Sequence, residues 1–543
     1  MSKQTLIFNG KVYLEREKFT EAILIEDGII KKVGKKEELL PLCLEDCNKI
    51  DCEGKTVIPG LNDSHLHLIQ FAEVLQEVST FDCTSVEDLV ERCIKFKKEN
   101  PELTKYCIHA IGWNQDYFQD KRIPTRFDLD KISTEIPIIL ERVCGHILST
   151  NTKAIELLGI DGNSPQWPGG TFMIGEDGYP NGIFTENACN FVKKIIPDYT
   201  MEDRERMLIK SMEQAVSYGL TSVQSNDIGT TIVKSTDEHF AMFKKLFKEG
   251  KGLLRYRHQV CFTDVEEFKK YVTEGEFTRD GYSEENWITL GPLKLFKDGS
   301  LGARTALMCK PYNDDPTTTG EHFTTIEEME QYCAIAKDYG IQVVTHVIGD
   351  RAIKETIECY KKAFIDGENK LRHALVHCQI TDREMLEDIA KSGILVMYQP
   401  IFLDYDMKIV EDRCGKELAS TSYAFNTLDK LGGKISYGTD CPVESCNPFP
   451  NIYSAVTRKD ANGQPINGFY PEECVDIYTA IDAYTIGSAY AEFCEDRKGR
   501  IKENYYADIV ILDKDIFTVD PMEIRNIKPI ITMVGGKIVY SQK

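Results

Sequence analysis

The chain has 543 residues, 42% of them hydrophobic, and a formal net charge of −22. That length is too great for one ordinary core of roughly 100–200 residues, and so acidic a chain lacks the clustered Lys and Arg that nucleic-acid phosphates demand. No apolar run reaches the ~18–20 residues of a membrane span, and no basic-then-apolar leader precedes Leu6-Ile7-Phe8, so a cytoplasmic protein without membrane contact is expected.

Residues 1–58 read as short strands and turns. Leu6-Ile7-Phe8 is followed by the hairpin signal Asn9-Gly10, and Ala22 to Ile25 and Ile29 to Val33 flank Asp27-Gly28. The far end has the same style, with Ala507 to Asp513, Ile530 to Val534 and Lys537 to Tyr540. One small β-sandwich domain built from residues 1–58 plus 495–543 is expected. Between these ends the pattern alternates. Helical periodicity covers 86–99, 201–218, 326–339, 351–365, 382–392 and 472–491, and strand-like runs cover 221–224, 290–296, 341–346, 373–377, 394–398 and 434–438. This βα alternation predicts an α/β fold with a parallel sheet. A closed (β/α)8 TIM barrel over 59–494 is preferred to an open sheet. The chemically interesting residues sit at strand C-terminal ends across the whole middle, and no glycine fingerprint follows the first strand. Residues 75–200 are too long for one βα connection and read as an insertion covering the barrel mouth. The 18 cysteines include no Cys-x-x-Cys pair and are expected to be mostly small buried hydrophobes.

The run Pro59-Gly60-Leu61-Asn62-Asp63-Ser64-His65-Leu66-His67 follows the apolar Thr56-Val57-Ile58 and reads as a strand that ends in a metal site. Residues i and i+2 of a strand share a face, so both imidazoles point the same way. Lys294 lies inside the apolar strand Gly291 to Phe296. A lysine there is costly unless its charge is paired or removed, and once desolvated it is nucleophilic enough to take up carbon dioxide as a carbamate, a short anion able to bridge two metals. His346 and His377 each close an apolar strand, and Asp440 follows the last one. An aspartate there can bind a metal through one oxygen and relay a proton with the other. His373 lies nearer the start of its strand and reads as structural. Six ligands of types N, N, O, N, N, O suit two divalent ions, with zinc as first choice.

These residues, in this order, resemble the amidohydrolase superfamily, specifically amidohydrolase family 3, the YtcJ-like metal-dependent hydrolases. The resemblance rests on Pro59 to His67, Gly112-Trp113, Pro137 to His146, Gly169-Gly170, Gly291 to Ala306, His346 to Asp350, Gln399-Pro400, Asp440 to Val443, Ala455 to Arg458 and Ala507 to Val510. It implies a distorted barrel with a sandwich made from both ends. His65 and His67 would hold the first metal, carboxylated Lys294 the bridge, and His346 and His377 the second metal. Asp440 would bind the first metal and act as general base and then general acid. The family usually has Glu-His-Ala where this chain has Val376-His377-Cys378, and a small residue where it has Lys297. Trp113, Arg142, His146, Glu186 and Arg304 are candidates for lining the substrate pocket, and Glu186 is the substitute carboxylate should Lys294 stay unmodified. A homodimer is the assembly the resemblance suggests. The expected activity is hydrolysis of a carbon–nitrogen bond in a small amide or N-formyl or N-acyl amine. The alternatives are a heterocycle deaminase on the same scaffold, against which Lys294 argues, and a non-catalytic metal-stabilised regulatory protein.

Overall fold

The computed structural model describes residues 3–196, 199–229, 236–262, 264–274 and 287–542, which fall into two units, Met1–Gln70 with Ile209–Lys543, and Phe71–Leu208.

The larger unit contains an eight-stranded parallel sheet, in chain order β1 (Leu61–Leu66), β2 (Leu220–Ile228), β3 (Arg255–Val260), β4 (Ile288–Phe296), β5 (Val343–Val347), β6 (Ala374–His377), β7 (Leu395–Tyr398) and β8 (Lys434–Tyr437). Each strand pairs with its sequence neighbour. β5, β6 and β7 are short runs of buried aliphatic residues, the composition required of parallel strands covered on both faces. The seam between β1 and β8 is drawn together just past the strands. The Asp440 amide donates to the His65 carbonyl at 2.8 Å and the His67 amide to that of Cys441 at 2.7 Å. The buried Asp63 carboxylate accepts the Thr439 amide at 3.1 Å and its hydroxyl at 2.6 Å. Gly438 is required at this crossing, because a Cβ there would lie 2.6 Å from the His65 nitrogen. The result is a nearly closed TIM-type barrel.

Helices between the strands start where side chains cap them. Thr325 and Glu328 form a reciprocal capping box ahead of Ile326–Asp338, and Asp382 caps Arg383–Ser392, which ends on Gly393 in the left-handed region at φ 67°.

The chain ends form two further sheets. One runs, across its strands, 29–34, 22–26, 4–8 and 48–51; the other runs 537–541, 529–534, 509–512, 56–59, 11–15 and 18–20. Ile7, Val12, Ile25, Val57, Ile509 and Met533 from both sheets share one core.

Three expectations need correction. The apolar stretch 56–58 does not run into the metal strand. It pairs with Lys11–Glu15 and Ile509–Leu512, and the chain turns at Gly60, where a Cβ would meet the Thr221 hydroxyl at 2.1 Å, before β1 begins at Leu61. The helix expected over 472–491 is broken into Ile477–Asp482, a π turn at Ala483–Gly487 and Ser488–Ala491. The Thr485 hydroxyl donates to the Ile481 carbonyl at 2.8 Å and that of Ser488 to Ala483 at 2.9 Å, drawing the backbone off regular helix. The strand-like runs named above also omit β3, Arg255–Val260, which carries two arginines. Both are buried, Arg255 against Asp508 at 2.8 Å and Arg257 donating to the Glu492 carbonyl at 3.1 Å.

The unit Phe71–Leu208 has its own six-stranded sheet, in the order 170–174, 180–186, 147–150, 138–142, 108–113 and 78–79. It also has its own cores around Leu89 and Leu140 and around Phe172 and Phe184. Among the described residues no helix is long and apolar enough to cross a membrane. The cysteines are free thiols, most of them buried.

Candidate metal centre

Four imidazoles gather at the C-terminal ends of β1, β5 and β6. Ring centroids lie 5.2 Å apart for His65 and His67, 5.8 Å for His65 and His377, and 4.5 Å for His346 and His377. Asp440 Oδ1 stands 3.3 Å from His65 Nε2 and 3.2 Å from His67 Nε2. One ligand atom each from His65, His377 and Asp440 lies within 4.8 Å of the others.

Each ring is oriented by what its other nitrogen meets. His65 Nδ1 lies 2.7 Å from Gln259 Oε1, and His67 Nδ1 lies 2.6 Å from the Asn226 carbonyl, so Nε2 of both rings is left facing Asp440. His346 Nε2 lies 3.0 Å from the Gly299 carbonyl, which leaves Nδ1. His377 Nδ1 is buried without a hydrogen-bond partner among the described residues. The partners β2 and β3 supply to His65 and His67 fix tautomer and ring angle, the task that outer hydrogen bonds perform around metals. His377, Cys378 and Asp440 all hold positive φ, at 71°, 49° and 57°, conformations that cost non-glycine residues of order 1–3 kcal/mol and gather at functional sites.

The electrostatics favour ligand protonation states. Burial pulls His65 down to about 4, His346 to about 3 and His377 well below its ordinary value, so all three are neutral. Burial alone would raise the Asp440 carboxyl, but hydrogen bonds from His65 and His67 outweigh it and hold the group well below the carboxylate range. Burial lowers Lys294 to about 8 despite the Asp440 charge. Lys294 is 1% exposed. Its amine has only the Leu295 carbonyl at 3.4 Å and the Phe296 ring at 3.8 Å, with no ion pair among the described residues. Three neutral imidazoles, a fourth (His67) whose pKa burial would lower but Asp440 raises, an ionised carboxylate, an unpartnered buried nitrogen and a buried amine without an ion pair fit one or two divalent cations. Ligand atoms this close would otherwise be unsatisfied polar groups in a dry interior.

Other residues hold this arrangement, and sequence reading missed most of them. Asp298 accepts the amides of Leu307, Ile348 and Gly349 at 2.8, 3.0 and 2.8 Å, tying the loop after β4 to the one after β5. Asp63, Asn226, Asp227 and Gln259 had no distinguishing signal beyond being polar residues in strands that proved fully buried. His373 is structural: its Nδ1 accepts the Val343 amide at 3.0 Å.

The remaining predicted site residues make the following contacts. Arg304 is ion-paired with Asp314 at 2.8 Å. Within the unit Phe71–Leu208, Trp113 is fully buried in the core, stacked on Phe118 at 6.4 Å. Arg142 donates to Gln115 at 2.7 Å and to Asn114 at 2.9 Å, and exposed His146 and Glu186 pair at 3.0 Å.

A profile of the amidohydrolase family matches residues 49–540. The Bacillus subtilis protein named "Putative amidohydrolase YtcJ" is 30% identical over 98% of both chains. The N-substituted formamide deformylase of Arthrobacter pascens is 24% identical over 99% of both. Among solved structures, an uncharacterized metal-dependent hydrolase from Pyrococcus furiosus superposes with a TM-score of 0.75 at 28% identity, over 95% of this chain and 100% of that one.

Proposed function

The chain belongs to the amidohydrolase family and is a metal-dependent hydrolase, and from that premise we propose that it cleaves a carbon–nitrogen bond other than a peptide bond, in an amide or an N-formyl or N-acyl amine of a small molecule. The observation that carries this reading is Asp440 Oδ1 standing 3.3 and 3.2 Å from two imidazole nitrogens whose rings are anchored from behind. The name of the Arthrobacter pascens relative supports an amide-type bond.

In this reading His65, His67 and Asp440 hold one divalent cation and His346 and His377 a second, zinc being first choice for both. Lys294, if it took up carbon dioxide as a carbamate, would add an anionic ligand to this set. Cations bound there supply Lewis acidity and a nucleophilic water near neutral pH. Asp440 uses Oδ1 toward the imidazoles and keeps Oδ2 for proton transfer. It accepts the proton of the attacking water and returns it to the leaving nitrogen as the carbon–nitrogen bond breaks. Gln259 and Asn226 hold the first two imidazoles in one tautomer throughout, and Asp298 keeps the β4 and β5 loops in register.

The test is amine release from a panel of N-formyl and N-acyl amines by the full-length protein, before chelation, after it, and after zinc is restored. Release that disappears with the metal and returns with it is the expected result. Ammonia release from heterocycles without amide cleavage would replace this reading with the deaminase, and full metal occupancy without any turnover would overturn it.

A further inference from the structure

A cavity of about 420 Å³ lies at the C-terminal ends of β3 and β4, beneath the helix Ile326–Asp338. Four of its lining side chains are aromatic, Phe262, Phe296, Phe323 and Tyr332, and its charged groups are Lys294 and Glu328. Lys294 therefore belongs both to the candidate metal centre and to this cavity. The Phe296 ring bridges the two, 3.8 Å from the lysine amine and 5.8 Å from the His346 ring. The far wall is braced: Phe262 packs on Phe268 at 5.6 Å, and Phe268 packs on Tyr332 at 5.8 Å. Phe323 is a large apolar side chain that lines the cavity and is 56% exposed.

The segment that carries Phe323 is fixed by Lys297. The Phe323 amide donates to the Lys297 carbonyl at 2.9 Å, and the Thr324 hydroxyl donates to the Phe296 carbonyl at 2.7 Å. The Lys297 amine is fully buried. It donates to the Thr324 carbonyl at 3.0 Å and pairs with Glu355 at 2.9 Å, which Arg351 holds from the other side at 2.8 Å. Burying a lysine charge is costly unless it is paired and hydrogen-bonded, and these bonds join the Phe323 segment to the helix Asp350–Ala363 that follows β5.

Apolar pockets of a few hundred Å³ with a few placed polar groups are the usual shape of a small-molecule subsite, and aromatic walls favour aromatic rings through offset and edge contacts. We propose that this cavity receives a ring-sized apolar substituent of the substrate, making the enzyme an aryl-amide hydrolase, and that Lys297 is a positioning residue that holds the Phe323 wall. This rests on the amide-hydrolysis reading above.

The experiment compares N-(2-phenylethyl)formamide with N-ethylformamide, using the metal-loaded full-length protein. The wild type is expected to favour the aryl compound at least tenfold in kcat/KM. Phe323→Ala is expected to cut that ratio about tenfold, as is Lys297→Met made together with Glu355→Gln, through a rise in KM for the aryl compound rather than a fall in kcat. Hydrolysis of both compounds with a ratio near one, or a ratio indifferent to Phe323→Ala, overturns the proposal. If neither formamide is cleaved, the hydrolytic reading fails and the cavity is tested by itself through calorimetric binding of 2-phenylethylamine against ethylamine. Tighter binding of the aryl amine that Phe323→Ala weakens about tenfold sustains the cavity assignment; equal binding of the two amines overturns it.

Discussion

At the N-terminal ends of the barrel strands, Glu492 pairs with Lys498 and accepts the Asn62 amide at 2.6 Å, while Lys498 donates to the Ser222 hydroxyl at 2.5 Å and Gln342 donates to the Ala491 carbonyl at 3.1 Å. At the C-terminal ends, Lys294 has no ion-pair partner and His377 Nδ1 no hydrogen-bond partner among the described residues, while two imidazoles face one oxygen of Asp440. Both regions bury comparable chemistry, an amine and a carboxylate among polar side chains. In the first, the amine and the carboxylate satisfy each other, as buried charges must if they only serve the fold. In the second they do not, and left-handed backbone at His377 and Asp440 adds to the cost. A region that is worse off without a ligand is one built around a ligand.

The largest contrast should come from removing a charge at each end. Lys294→Met is expected to lower turnover by about a thousandfold or more and to release metal, with partial recovery of activity by added short carboxylic acids. Its metal-free thermal stability should match or exceed that of metal-free wild type, because an unpaired buried amine has gone. Lys498→Met should do the reverse. Chemical denaturation should show a loss of about 3–5 kcal/mol from stranding Glu492, with metal stoichiometry and turnover per folded molecule retained. Metal loss in that second variant would erase the distinction between the two ends.

Asp63→Asn sharpens the comparison, because Asp63 satisfies the fold and carries the site at once. Losing acceptor capacity toward Thr439 should cost about 1–3 kcal/mol and weaken metal binding by about 10–100-fold, both read by melting with and without zinc. A variant that lost stability alone would make the seam purely architectural.

The smallest effect lies outside the barrel. His109 sits 2.9 Å from Glu77 and 3.5 Å from Glu141. Burial lowers its pKa, but the two carboxylates outweigh that and raise it to about 9. A folded pKa above the unfolded value of about 6.5 means stabilisation that is complete below pH ~6.5 and fades as pH rises through about 9. His109→Gln should flatten the melting temperature of Phe71–Leu208 across that window and leave zinc content unchanged. A slope that persists would assign the pH dependence elsewhere.

How much of this was legible in the sequence depended on whether a residue's partner lay in its own strand. The βα alternation and the closing histidines of β5 and β6 could be read because apolar runs announce parallel strands and an ionisable residue at their end stands out. β3 could not, since Arg255 and Arg257 find Asp508 and Glu492 about 250 and 235 residues away. The same holds for Gln259 and Asn226. Their importance lies in the imidazoles they face, and of the strand Leu220–Ile228 only 221–224 was legible, the polar end that carries Asn226 being outside it. Thr56–Ile58 misled for the opposite reason: an apolar run next to His65 belongs to a different sheet, and the turn at Gly60 is a matter of space against Thr221.

The central claim is that His65, His67, Lys294, His346, His377 and Asp440 exist to hold cations. Crystals of the zinc-loaded protein, measured on both sides of the zinc absorption edge, test it most directly. The account predicts one or two anomalous peaks within coordination distance of the His65, His67, His377 and Asp440 ligand atoms. Zinc-replete crystals whose peaks lie elsewhere, with those side chains hydrogen-bonded only to protein and solvent, would contradict it.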